Sequence, residues 1–164
     1  MEKETENADL LQQLMDNVGD NIFFKDSDSK FIMINKANAR WFGLKDPHDA
    51  IGKDDFAFFE EQHALRQLEE EKWIMQTGEP IVGEVQSALH EGVIGWGSVT
   101  KVPLRDKDGR IIGTMGIGRD ITELKNKELK LKQAHEQMAE DLRMAGKLQQ
   151  TFLPQAYPSF TDSN

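Results

Sequence analysis

The stretch NIFFKDSDSKFIMINKANARWFG, residues 21–43, decides the fold. Two short apolar runs, 21–25 and 30–34, flank Asp26-Ser27-Asp28-Ser29. Short polar side chains of this kind bond to nearby backbone and favour a tight reversal, so the runs read as paired strands. Asn35 then offers a side-chain acceptor for the first turn of a short helix reaching Phe42, with Trp41 and Phe42 turned inward and Gly43 as its stop. A hairpin that feeds straight into a capped helix is the seed of a mixed domain.

Working outward, Asp46-Pro47-His48-Asp49 opens another short turn, and residues 59–76 carry Leu65, Leu68, Trp73 and Ile74 at helical spacing. Thr77-Gly78-Glu79-Pro80 supplies the glycine and proline that end such a helix. Three strand-like segments follow at 81–89, 93–104 and 110–119, with His90-Glu91-Gly92 and Asp106-Lys107-Asp108-Gly109 as the turns between them. Gly113, Gly116 and Gly118 weaken strand propensity but permit curvature or a close approach. Upstream, Ala8, Leu11, Leu14, Met15 and Val18 mark an amphipathic helix over residues 5–18, stopped at Gly19-Asp20. Strands, then helices, then three more strands imply an α+β fold: a five-stranded antiparallel sheet with helices on one face.

Bulk composition narrows the function. The 164 residues hold one domain of about 100–120 residues plus helical extensions. A net charge of -9 argues against nucleic acid and anionic membrane as partners, because both require a basic surface. With no cysteine, disulfides, thiolate zinc sites, cysteine nucleophiles and cysteinyl-flavin chemistry are excluded. No apolar run approaches the ~18 residues of a membrane span, and a cytoplasmic location is expected.

The chain resembles the PAS family of sensor domains over roughly residues 10–125. The resemblance rests on Asn21-Ile22-Phe23-Phe24-Lys25-Asp26, then Phe31-Ile32-Met33-Ile34-Asn35-Lys36-Ala37-Asn38 and Phe42-Gly43. It continues through Trp96, Lys101-Val102-Pro103-Leu104, Asp108-Gly109 and Gly113 to the exit Arg119-Asp120-Ile121-Thr122. It implies that Asp120, Ile121 and Thr122 join sensor to effector. Physically, Asp120 is suited to cap the exit helix and to bond the sheet or a turn.

From Ile121 onward the chain reads as one long charged helix. Leu124, Leu131, Met138, Ala145 and Phe152 recur every seven residues, beside a mixed seam of Ile121, Glu128, His135, Leu142 and Gln149. This pattern suits a parallel two-chain coiled coil whose interface holds Leu124, Leu131, Met138, Leu142, Ala145 and Phe152. Leu129 and Leu148 widen the stripe and leave a folded-back single helix as the alternative. Residues 141–154, ending in Phe152-Leu153-Pro154, resemble the segment leading into PPM/SpoIIE-type bacterial serine/threonine phosphatases, whose metal-binding aspartates have no counterpart in this chain. The expected organisation is a leading helix at 1–18, a sensor at 19–120, a signalling helix at 121–153, and the start of an output domain or a disordered tail at 154–164.

No catalytic or metal constellation emerges. His48, His63, His90 and His135 lack metal-ligand spacing. His63 is the one histidine placed as haem ligands are in some PAS domains, but reads first as an exposed polar residue. Asp54-Asp55 and Glu69-Glu70-Glu71 read as solvated faces, since adjacent carboxylates point in different directions. The resemblance implies a pocket between the sheet and the long helix. Its expected apolar lining is Phe24, Met33, Leu68, Ile74, Val99 and Met115, with Asn38, Trp96 and Thr100 as polar contacts. The alternative is that these residues simply fill a core. The sequence requires no cofactor; haem, or a flavin facing Trp96, belongs to a redox or gas-sensing alternative. The expected function is a noncatalytic, homodimeric sensor that detects a small-molecule, redox or protein signal and passes it to an output domain. The rival is a dimerisation module with a filled core.

Overall fold

The computed structural model describes residues 2–90 and 93–152, with side-chain surroundings for 8–87 and 94–152. Helix α1 (Glu2–Asn17) leads into strands β1 (Asn21–Asp26) and β2 (Phe31–Ile34), then helix α2 (Lys36–Trp41) and two 3-10 turns, Pro47–Ala50 and Asp55–Ala57. Helix α3 (Glu61–Thr77) precedes β3 (Ile81–His90), β4 (Val93–Arg105) and β5 (Ile111–Asp120), and α4 (Thr122–Phe152) follows. The sheet order is β2-β1-β5-β4-β3, with every neighbouring pair antiparallel. The α+β architecture expected from the sequence is the one observed. The β3–β4 turn and the segment 154–164 lie outside the described residues.

Local chemistry explains the hairpins. Asp26 Oδ1 accepts from the backbone N–H groups of Asp28 and Lys30, each at 2.9 Å. The second hairpin repeats this, with Asp106 Oδ1 accepting from Asp108 and Arg110 at 2.9 Å. Each turn needs a left-handed residue, supplied by Gly109 in one and by Ser29 (φ 60°) in the other. Asn35 does more than cap α2. Its Oδ1 accepts from Asn38 N and Ile22 N, each at 3.0 Å, while its Nδ2 donates to Met15 O (3.1 Å) and Asp20 O (2.9 Å). One buried amide thus ties the end of α1, the start of β1 and the start of α2 together, and leaving such groups unpaired costs about 1–3 kcal/mol each.

The apolar centre lies where β2 meets α2 and the two 3-10 turns. Phe31, Ile34, Ala39 and Ala50 are buried there, with Phe23, Phe42, Leu44 and Phe58 packed around them. Phe42 stacks on Phe58 at 4.1 Å, and Phe31 meets Phe42 edge-on at 5.5 Å. Such pairs contribute about 0.5–1.5 kcal/mol beyond burial. Close approach also explains two glycines of β5. A Cβ on Gly113 would sit 1.9 Å from Lys25 O, and one on Gly116 would sit 2.4 Å from the Phe23 ring.

Helix α3 departs from the expected facing. Leu65 and Trp73, read as part of its apolar stripe, are each 45% exposed, whereas Ala64, Gln67, Glu71 and Ile74 are buried. The helix stops as expected: Gly78 adopts φ 74° and donates to Ile74 O.

The residues fall into two units, one ending at Thr122 and one beginning at Glu123. The second continues α4, whose 31 residues correspond to about 46 Å at ~1.5 Å per residue. None of its described residues is buried, and Leu131 and Met138 are 59% and 62% exposed.

Candidate functional site

Strand alternation sends Lys25 and Lys101 to the helix-covered face of the sheet, where each is 1% exposed. Charged groups stay ionised at such a depth only when paired. Lys25 Nζ bonds to the Asp55 carboxylate and to Glu71 Oε1 (2.6 Å). Lys101 Nζ donates to Gln67 Oε1 (2.5 Å) and Glu70 Oε2 (2.9 Å). Gln67 Nε2 donates to Gln86 Oε1, and Gln86 Nε2 to Glu70 Oε1, both at 2.9 Å. His63, Gln67, Glu70 and Glu71 stand at i, i+4, i+7 and i+8, the spacing that collects side chains on one helix face. A polar stripe of α3, with Ala64 and Ile74 beside it, is therefore buried, while Leu65 and Trp73 stay exposed.

The carboxylates are tuned in opposite directions. Burial pushes the Glu71 carboxyl above the usual range, Asp55 adding to the effect and Lys25 and Lys101 opposing it. Burial works against the charge of Glu70 as well, but Lys101, Gln86 and Arg66 outweigh it and hold that carboxyl below the usual range. Burial also lowers His63, which favours neutral imidazole. The reading of 54–55 and 69–71 as solvated faces is thus corrected: Glu69 is exposed and Asp54 half-buried, but Asp55 and Glu71 are 6% and 0% exposed because the lysines opposite need counter-charge. His63 is half-buried rather than exposed, its ring 4.5 Å from that of Phe59.

A cavity of about 100 Å³ opens against this network. Lys25, Asp55, Gln67 and Glu71 line it together with Phe23, Phe31, Trp41, Phe42, Phe59 and His63. Of the residues expected in a pocket, Asn38, Trp96 and Val99 stand in this wall. Phe24, Met33 and Met115 do not: they form a directly paired row on the opposite sheet face, because Phe23 and Lys25 point inward and Phe24 between them must point out. Thr100 shares that opposite face, and its hydroxyl accepts from Gly83 N. Leu68 is half-buried on α3 and Ile74 fully buried, both outside the lining. The volume falls below the ~300–1,000 Å³ of drug-sized ligand sites, so neither haem on His63 nor a flavin against Trp96 fits. Sequence reasoning missed the lysines and Glu71; the usable signal was a polar stripe at helical spacing.

The cavity wall also contains Arg119 and Asp120, at the exit to α4. Ile121 N donates to Trp96 O (2.8 Å), and Trp96 N donates to Thr122 Oγ1 (2.9 Å). Asp120 Oδ1 accepts from Thr122 N (2.8 Å), while Arg119 pairs with Asp20 on the loop after α1. Thr122, more than Asp120, is the residue that stitches the start of α4 to the sheet. Among the described residues no group of three or more His, Asp or Glu is placed to hold a metal, and no helix is long and apolar enough to cross a membrane.

Comparison with known proteins places this geometry. Residues 15–126 match the family described as the PAS fold. The methanogenesis regulatory histidine kinase FilI of Methanothrix harundinacea is 36% identical over 118 residues, which are 72% of this chain and 13% of that protein. VqmA bound to DPO is 28% identical with a TM-score of 0.61, the match covering 71% of this chain and 57% of that one. A Vibrio cholerae VqmA dimer, also 28% identical, gives a TM-score of 0.63 over 73% of this chain and 52% of its own. The chain thus spans only part of each of these relatives. With most of its length inside the family match, and with the sheet order and helices that match requires, the chain belongs to the PAS family.

Proposed function

We propose that this PAS domain senses a small molecule in the cavity beside Glu71 and transmits its occupancy through the Trp96–Thr122 junction to a dimeric α4. The observation that carries the reading is one shared wall: Lys25, Asp55 and Glu71 line the same space as Trp96 and Asp120. A ligand that shifts Trp96 acts directly on the two bonds that hold Ile121 and Thr122. VqmA, which resembles this chain, has been solved with DPO bound, in support of a small-molecule signal.

Residues 19–120 serve as the sensor and 121–153 as the signalling helix in this reading. The pairing of two α4 helices is supported by the exposed heptad series Leu124, Leu131 and Met138, which a partner would cover, and by the dimeric V. cholerae relative. The output domain lies outside this chain. The resemblance at residues 141–154 favours a serine/threonine phosphatase, and FilI is a histidine kinase, so related sensor cores serve more than one output.

Native mass spectrometry of the purified chain, with an absorbance scan, tests the reading. A dimer with added small-molecule mass supports it, and Leu131→Glu should shift that dimer to monomer by placing charge at the seam. A wild-type monomer would defeat the paired-helix mechanism. A ligand-free dimer that no small molecule stabilises would leave a dimerisation module in its place.

A further inference from the structure

We infer that Trp41 is the positioning residue that couples the cavity wall to the exit junction, and that Gly95 lacks a side chain because the indole occupies its place. The inference rests on the transmission reading above and names the side chain that carries it.

Gly95 lies inside β4, where a residue without a side chain weakens the strand. Its φ is outside the left-handed region, so backbone conformation does not call for glycine. A close approach does. A Cβ on Gly95 would sit 3.0 Å from Cη2 and 3.8 Å from Cζ2 of Trp41, and 3.7 Å from Oγ1 of Thr122. Carbon atoms rest about 3.5–4.0 Å apart, so the indole tip holds the space that a side chain at 95 would need. One point thus joins three segments: the end of α2, the strand β4 and the first residue of α4.

Trp41 also belongs to the cavity wall. Asn38, Trp41 and Phe42 line it together at i, i+3 and i+4, the spacing that puts side chains on one face of α2 and its C-cap. That helix is held in place, since Asn35 caps its start and Ala37 and Ala39 are buried. A group that turns the indole from the cavity side therefore has the Gly95 backbone on the ring's other contact. Gly95 precedes Trp96, whose N–H donates to Thr122 Oγ1 at 2.9 Å and whose carbonyl accepts from Ile121 N at 2.8 Å. Motion of the ring tip reaches both bonds across one residue, because a close-packed contact passes displacement on instead of absorbing it.

Amide hydrogen exchange of the 164-residue chain tests this without any ligand, in Gly95→Ala, Trp41→Phe and the double variant. The methyl group of Gly95→Ala presses on the indole tip, so exchange at Trp96 and Ile121 should quicken about tenfold or more while the amides of β1 hold. Trp41→Phe shortens the ring and vacates that space. The double variant should therefore bring both amides back to within about threefold of the unmutated chain. Exchange that quickens equally in β1 would make the contact a matter of general stability and overturn the coupling. Unmoved exchange at Trp96 and Ile121, or a double variant as fast as Gly95→Ala alone, would overturn it too. Nuclear Overhauser contacts in the unmutated chain give a reading that needs no variant to fold: the Trp41 Hη2 proton should see the Gly95 α protons, and silence between them defeats the inference. Failure of the sensor reading is separate, since it shows as a chain without added small-molecule mass and leaves these exchange rates as they are.

Discussion

The two faces of the one sheet are built from opposite materials. Toward the helices it presents Lys25, Lys101 and Thr114, all at or below 1% exposure. On the other side stand Phe24, Met115 and Val102 in one row, beside Met33 at 41% and Ile117 at 45% exposed. The usual rule puts apolar residues inside and charges outside. Here the buried face holds an ion network that α3 neutralises, and the apolar face is left partly exposed. The difference teaches that in this domain the buried charges stand beside the cavity, since Lys25, Asp55 and Glu71 all line it.

Breaking the inner face should have the largest effect. Lys25→Met keeps the bulk but leaves Asp55 and Glu71 uncompensated, and should cost about 3–5 kcal/mol in urea unfolding. A loss below ~1 kcal/mol would show that the pairing does not hold the core. Its neighbour on the outer face, Phe24→Ala, should cost only about 1–2 kcal/mol, because that side chain is half-buried to begin with. A cost equal to that of Lys25→Met would mean that another surface already covers the outer row. Thr114→Val should move the other way. The Thr114 hydroxyl is buried without a partner among the described residues, so an isosteric methyl should raise stability by about 1 kcal/mol, and a loss on thermal unfolding would point to a bond that the residue makes in solution.

The smallest effect we expect is a change of slope with pH. Glu71 sits above the ordinary value of 4.5, pushed up by burial and by Asp55, with Lys25 and Lys101 opposing. Its contribution to stability is therefore full below 4.5 and lost as pH rises through its folded pKa. Glu70, held below 4.5, acts in the other window, where its contribution is lost as pH falls through its folded pKa. His63, lowered from 6.5 by burial, gains stability as pH rises toward that value. Glu71→Gln should thus remove the decline above 4.5 and leave the acid side unchanged, as read from urea midpoints across pH. An unchanged difference between the two proteins above 4.5 would place Glu71 at its ordinary pKa.

Much of the fold was legible because local signals act over a few residues. Asp26 and Asp106 make their turns by bonding backbone two and four residues on. Asn35 caps α2 from the adjacent position, and Gly78 ends α3 in the left-handed region that glycine adopts freely. The site was less legible. Phe24, Met33 and Met115 looked like pocket residues on hydrophobicity alone, but nothing within a strand says which of its two faces the helices will cover. Lys25 and Glu71 lie 46 residues apart, and neither explains the other until the sheet and α3 meet.

By itself, then, the sequence determined the order of elements, the turns, the caps and the long heptad-bearing exit helix, since each is decided by bonds between near neighbours. Only the tertiary structure decided which face of β1 is inside, which stripe of α3 is buried, and that Glu71 keeps an oxygen beside a cavity that no described residue pairs. Those outcomes follow from desolvation and charge pairing between distant segments, energies that exist only once the segments are brought together.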